Sequence, residues 1–109
     1  MKEDAKTMIK LMGLPVVQAP SEAEAQCAEL VRMGIAYATA SEDMDALPFG
    51  SNFLIRNLTN NKKEQITLID NQKVLNGFGL SRRQFVDLCV LSGCDYTRSI
   101  SGIGSTKAL

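Results

Sequence analysis

Ile35-Ala36-Tyr37-Ala38-Thr39-Ala40 runs directly into Ser41-Glu42-Asp43-Met44-Asp45. The first six residues do not alternate polar with apolar, the pattern of a parallel strand covered on both faces. The next five crowd three acids at what would be its carboxyl end. Working back, Gly34 stops a helix opened by Ser21-Glu22-Ala23-Glu24, which reads as a capping box with Ser21 at the N-cap and Glu24 at the third helical position. Ala23, Cys27, Leu30 and Val31 are its predicted inner face. Pro15-Val16-Val17-Gln18-Ala19, β-branched and bounded by Pro20, reads as a buried strand. Residues 2–12 read as a helix with Ala5, Ile9 and Met12 on one face, stopped by Gly13. Helix, strand, helix, strand predicts an α/β layer fold with a partial parallel sheet.

Working forward, a short helical turn is expected to Leu47. Phe53–Leu58 and Gln65–Ile69 read as strands, with Asn60-Asn61-Lys62-Lys63 as the turn of a hairpin. A short helix around Gln72–Asn76 breaks at Gly77 and Gly79. Ser81-Arg82-Arg83-Gln84 is a second capping box, starting a helix with Phe85, Leu88 and Cys89 inside. Gly93-Cys94-Asp95-Tyr96 is a polar turn, and Ser101-Gly102-Ile103-Gly104 leads into a final helix containing Lys107. The expected division is an α/β core over residues 1–80 and a helical region over 81–109.

Composition narrows the chemistry. The chain of 109 residues holds no histidine, and its three cysteines, Cys27, Cys89 and Cys94, lack CxxC spacing. That excludes imidazole bases, the usual triads and most zinc sites. Free cysteines in apolar company suit a reducing compartment. No apolar run approaches the roughly 20 residues of a membrane span, and no signal-peptide stretch follows Met1. The formal net charge is zero, but it hides a gradient. Residues 1–50 carry Lys2, Lys6, Lys10 and Arg32 against eight acids, and residues 51–109 carry eight basic side chains against four acids. Separate acidic and basic regions are what metal ions at one place and phosphates at another would require, although soluble domains also show such asymmetry by chance.

Glu22, Glu24, Asp43, Asp45 and Asp95 are the candidate chemistry. Two pairs lie just beyond the carboxyl ends of predicted parallel strands, the edge where open α/β sheets bind ligands. Carboxylates brought together repel and raise one another's pKa unless a counter-charge is present. Mg²⁺ takes carboxylate and water oxygens, and two such ions about 4 Å apart support phosphodiester hydrolysis. Plainer roles stand beside this one. Glu24 also serves as the capping-box partner, and Glu22 as a first-turn acid favoured by the helix dipole. Residues two apart on a helix do not share a face. Asp43 and Asp45 also read as surface turn residues, and Asp95 as a cap on the turn after Gly93. Gly102 and Gly104 before a helix would let the backbone approach a phosphate, with Lys107 nearby, though a lone GxG is common in loops. With the helix from Ser81 they form a helix, two-turn, helix arrangement suited to gripping duplex backbone without reading bases.

Five blocks in this order and spacing resemble the internal nuclease region of flap endonucleases. They are Ala19-Pro20-Ser21-Glu22-Ala23-Glu24-Ala25, Ser41-Glu42-Asp43-Met44-Asp45, Gln84-Phe85-Val86-Asp87-Leu88-Cys89, Gly93-Cys94-Asp95-Tyr96 and Ser101-Gly102-Ile103-Gly104. The wider group is the 5′-nuclease superfamily, with its excision-repair and exonuclease members. The resemblance covers essentially the whole chain. It implies a PIN-like 5′-nuclease core ending in a helix-two-turn-helix, and a seven-carboxylate site for two Mg²⁺ ions, with Mn²⁺ as substitute. Glu22, Glu24, Asp43, Asp45 and Asp95 match five of those carboxylates. It further implies a K⁺ site on main-chain carbonyls at Ser99, Ile100 and Ile103, and contact with the unbroken DNA strand through Gly102, Gly104 and Lys107.

In the family, two further carboxylates, the basic residues that polarise the scissile phosphate and most of a helical arch lie upstream of such a stretch. A downstream arm and a tail binding the sliding clamp follow it. The implied parent is a monomeric nuclear enzyme, with the mitochondrion a second location, acting on flapped or nicked duplex DNA in replication and repair and not on membranes. Three classes of function are therefore expected to compete: a 5′-flap endonuclease and 5′–3′ exonuclease core, a DNA-binding module without catalysis, and an α/β domain whose acids are caps and surface groups.

Overall fold

The computed structural model describes residues 1–59, 65–98 and 100–109. Its elements in chain order are α1 (Lys2–Leu11), α2 (Ala23–Arg32), β1 (Thr39–Ala40), α3 (Ala46–Phe49), β2 (Phe53–Arg56), β3 (Thr67–Asp70), α4 (Asn71–Phe78), α5 (Arg82–Ser92) and α6 (Ser105–Ala108). The sheet runs β1-β2-β3. It is mixed, which corrects the expected parallel sheet: β1 pairs parallel to β2, Thr39 against Leu54, whereas β2 pairs antiparallel to β3, Phe53 against Asp70. The antiparallel pair agrees with a hairpin, whose expected turn at residues 60–63 lies outside the described residues.

The first expected strand does not form. Pro15 to Ala19 is irregular and Val17 is 58% exposed, so this segment lacks the burial that a core strand requires. The second is cut to two residues for a local reason. The amides of Ile35 and Ala36 both donate to the Leu30 carbonyl, at 3.0 and 3.2 Å, through a left-handed Gly34 with φ +73°. The end of α2 thereby takes donors that a longer β1 would need. β2 ends where Asn57 turns left-handed (φ 61°) and gives its amide to Glu42 Oε1 at 2.7 Å.

Ala46, Leu47, Leu54, Leu75 and Phe85 form the core, with Ile69, Val74 and Cys89 packed against it. Beside it lies a buried polar set, Thr39, Ser51 and Asn71. Asn71 Nδ2 donates to the carbonyls of Leu47 and Ser51 at 3.0 and 2.9 Å. The Ser51 hydroxyl donates to the Phe53 carbonyl at 2.8 Å and lies 2.9 Å from Thr39 Oγ1, which therefore donates to it. These bonds join α3, β1, β2 and α4 at one level and so fix the turn that carries the acids. Arg82 adds a tie from α5, its guanidinium donating to the Phe49 carbonyl at 3.1 Å.

On α2 the inward residues are Ala28 and Val31, with Leu30 half-buried and Cys27 exposed. The inner face is therefore turned from the expected one, because α2 leans on α3 and β1 rather than on a sheet face. The capping box at Ser21 is also absent: Glu22 is the N-cap and makes no side-chain cap. At Ser81 the box forms as the sequence predicts.

Candidate acidic site and nucleic-acid interface

The turn from Ser41 to Asp45 is built by its own side chains. The Asp43 amide donates to Ser41 Oγ at 3.0 Å, and the Asp45 amide to Asp43 Oδ1 at 2.9 Å. Such short-range side-chain bonds are the usual way Asp and Ser stabilise a turn. Glu42 faces elsewhere, holding the Asn57 amide and pairing with Arg56 at 3.5 Å. Its role is structural, and the acids left for chemistry here are Asp43 and Asp45.

Asp45 is the N-cap residue of α3, half-buried, and its Oδ2 accepts a hydrogen bond from the Tyr96 hydroxyl at 2.9 Å. The Tyr96 ring meets Phe49 edge-on, with centroids 5.4 Å apart. The Tyr96 hydroxyl is pushed well above the ordinary phenol value, first by its bond to Asp45, then by desolvation, then by the charges of Asp45, Glu22 and Asp43. Of the five candidate acids, Asp45 is the one that bonds this phenol, and Glu22 lines the cleft beside it. Sequence reasoning placed Tyr96 in a polar turn and gave it no role. The available signal was an aromatic hydroxyl immediately after a candidate acid.

Glu22 stands exposed at the start of α2 and lines a cleft of about 440 Å³ with Pro20, Ala25, Phe49 and Tyr96. Glu24 is half-buried in the first turn of α2, and Asp95 is exposed immediately before Tyr96. Among the described residues, no three acidic or sulfur side chains gather closely enough to hold a metal ion between them. In kind, these oxygen donors suit a hard divalent cation. In grouping, those among the described residues do not complete a site by themselves.

Phe49 and Tyr96 also line a second, apolar cavity of about 680 Å³ with Phe78, Cys89, Cys94 and Leu109. Burial pushes the Cys89 thiol up, helped by the charge of Asp45. The Thr97 hydroxyl, 3.2 Å from Cys94 Sγ, draws the Cys94 thiol below its ordinary value, with the Tyr96 amide assisting.

At the C-terminal turn, Gly102 is left-handed (φ +81°), a conformation that glycine adopts without steric cost. Its carbonyl accepts from Lys107 Nζ at 3.1 Å. Gly104 is the extended N-cap of α6 and accepts the amides of Lys107 and Ala108. The Ile100 carbonyl accepts the Ile103 amide at 3.2 Å, and Ile103 is half-buried. Ser99, the third residue expected at a monovalent-ion site, lies outside the described residues.

The family model described as XPG I-region matches residues 13–95. The chain is 56% identical over 108 residues to flap endonuclease 1 of Aedes aegypti, covering 97% of this chain and 28% of that protein. Among solved structures it is similar to a flap endonuclease-1 from Methanococcus jannaschii, with TM-score 0.89 and 38% identity over 97% of this chain and 34% of the other. It is also similar to the catalytic core of Rad2 in complex with a DNA substrate (TM-score 0.86, 30% identity, 97% and 33% covered) and to a eukaryotic junction-resolving GEN-1 binding potassium (0.85, 38%, 98% and 28%). The chain spans about 28% of the length of the curated relative.

Proposed function

The chain belongs to the XPG I-region family, and from that premise we propose that it is the internal nuclease region of a structure-specific DNA nuclease. The whole protein hydrolyses phosphodiesters of flapped or nicked duplex as a 5′-flap endonuclease and 5′–3′ exonuclease in replication and repair. Glu22, Glu24, Asp43, Asp45 and Asp95 are proposed to contribute to a site for two Mg²⁺ ions, with Mn²⁺ as substitute, completed by carboxylates outside this stretch. Ions so held lower the pKa of bound water and stabilise charge developing on phosphate oxygens. The turn at residues 99–104 is proposed to hold K⁺ through its carbonyls, with Gly102, Gly104 and Lys107 against the unbroken strand. A monomeric nuclear protein that meets the sliding clamp through a separate tail belongs to the same proposal.

The observation that carries this reading is the hydrogen bond from Tyr96 to Asp45 beside the cleft that Tyr96 lines with Glu22. It draws together, across the fold, three of the blocks on which the family resemblance rests. In the chain itself, the turn holds Asp45 at a helix start and Tyr96 fixes its carboxylate. A second reading is that these 109 residues alone hold DNA without cutting it, since among the described residues the acids do not complete a metal site by themselves.

Cleavage of a labelled 5′-flap duplex separates the two, using the whole protein and the chain alone. Asp45→Asn in the whole protein should lower kcat at least about a hundredfold while DNA affinity in Ca²⁺ stays within about twofold, because the loss falls on the transition state. A variant that still cuts but no longer binds would refute the role given to Asp45. Robust Mg²⁺-dependent turnover by the 109 residues alone would refute the second reading.

A further inference from the structure

Tyr96 grips α3 at both ends. Its hydroxyl donates to Asp45, the N-cap residue, and its ring packs on Phe49, the last residue of that helix. A four-residue helix is about 6 Å long, close to the reach of a tyrosine from ring to hydroxyl. Asp45 and Tyr96 are 51 residues apart in sequence, so the bond joins the acidic turn to the segment between α5 and α6. The same two aromatics form a wall shared by the Glu22 cleft and the apolar cavity, which reaches Ser105 and Thr106 at the start of α6.

We propose that Tyr96 is a positioning residue that sets the Asp45 carboxylate and couples the phosphate-holding turn at Gly102–Lys107 to the acidic turn. The inference rests on the nuclease reading above. A phenol suits the task because it donates a hydrogen bond to a carboxylate without adding charge, and because its ring is anchored independently of its hydroxyl. With that bond intact, one Asp45 oxygen is engaged and the other is left to act. Without it, the carboxylate is free to turn about its side-chain torsions, and the segment after α5 loses its polar tie to α3.

The test compares wild-type whole protein with Tyr96→Phe, which keeps the ring on Phe49, and with Thr97→Val, which disturbs the neighbouring Cys94 contact but not Asp45. Tyr96→Phe should lower kcat on a 5′-flap duplex about tenfold, leave KM and the Kd in Ca²⁺ within twofold, and speed amide hydrogen exchange at Asp45. Thr97→Val should match wild type. A thermal midpoint within a few degrees of wild type shows that Tyr96→Phe is folded. Unchanged kcat in a wild type that cleaves overturns the inference alone, as does a kcat loss matched by an equal loss of DNA affinity or shared by Thr97→Val. A wild type that does not cleave overturns the nuclease reading and takes this inference with it.

Discussion

Ser21-Glu22-Ala23-Glu24 and Ser81-Arg82-Arg83-Gln84 have the same form, yet only the second closes into a capping box. At α5, Ser81 Oγ accepts the Gln84 amide at 3.3 Å and Gln84 Oε1 accepts the Ser81 amide at 2.9 Å. Phe85 lies one residue further on, inside the core, and Arg82 is tied to Phe49. Tertiary contacts therefore seat the first turn of α5 where its local bonds can close. At α2 the buried residues are Ala28 and Val31, a turn deeper, and the first turn faces the open cleft. Glu22 and Glu24 are consequently not tied up as caps. The same local signal stabilises a helix in one region and in the other leaves Glu22 and Glu24 without a capping role.

The largest expected effect strikes the anchored side of this comparison. Phe85→Ala removes a ring that is 8% exposed and packed against Phe78 at 6.4 Å. Truncations of buried Phe cost about 3–5 kcal/mol, a large part of the total for a domain of this size. Urea denaturation should show the chain mostly unfolded or its midpoint sharply lowered. A loss below about 1 kcal/mol would mean that Phe85 does not seat α5, and the account of why its box closes would fail.

Next comes the box itself. Ser81→Ala should cost about 1 kcal/mol, the usual value for losing an N-cap hydroxyl, read as a lower urea midpoint at unchanged slope. A null result would mean that water replaces the hydroxyl at no cost and that Phe85 alone fixes the helix start.

The contrast also marks how far the sequence could be read. α5 was legible because its capping residues, its stop at Gly93 and its inward Phe85 lie in one short stretch and its tertiary contacts agree with them. The hairpin strands and α4 were legible for similar reasons, although α4 runs through Gly77, an expected break, and stops only at Gly79; the acids of the Ser41–Asp45 turn stood out by composition. Three things depended on distant partners and were not. The Ile35–Ala40 stretch has a strand's composition, but capture of its first amides by Leu30 shortens it. Pro15–Ala19 has β-branched residues but not the burial of a core strand. The bond from Tyr96 to Asp45 spans 51 residues, and no spacing rule in a single sequence exposes such a pair. Glu42 belongs to the same acidic turn but stood outside the candidate set, and the fold assigns it to Asn57 and Arg56.

The smallest expected effect is the sharpest test of the comparison. Ser21→Ala and Glu24→Gln should each shift stability by no more than about 0.5 kcal/mol, the range for surface changes that remove no cap or core contact. Ser21 lies outside α2, whose N-cap is Glu22. Glutamine also keeps the size of Glu24 and could still close a box if one existed, so a loss there would report charge rather than packing. Urea midpoints of the chain measure both. If Ser21→Ala costs as much as Ser81→Ala, a box forms in solution at both helices and Glu24 is a cap after all. If both changes are silent in stability while Glu24→Gln in the whole protein lowers kcat at least about tenfold with DNA affinity kept, Glu24 acts on the transition state rather than on the fold.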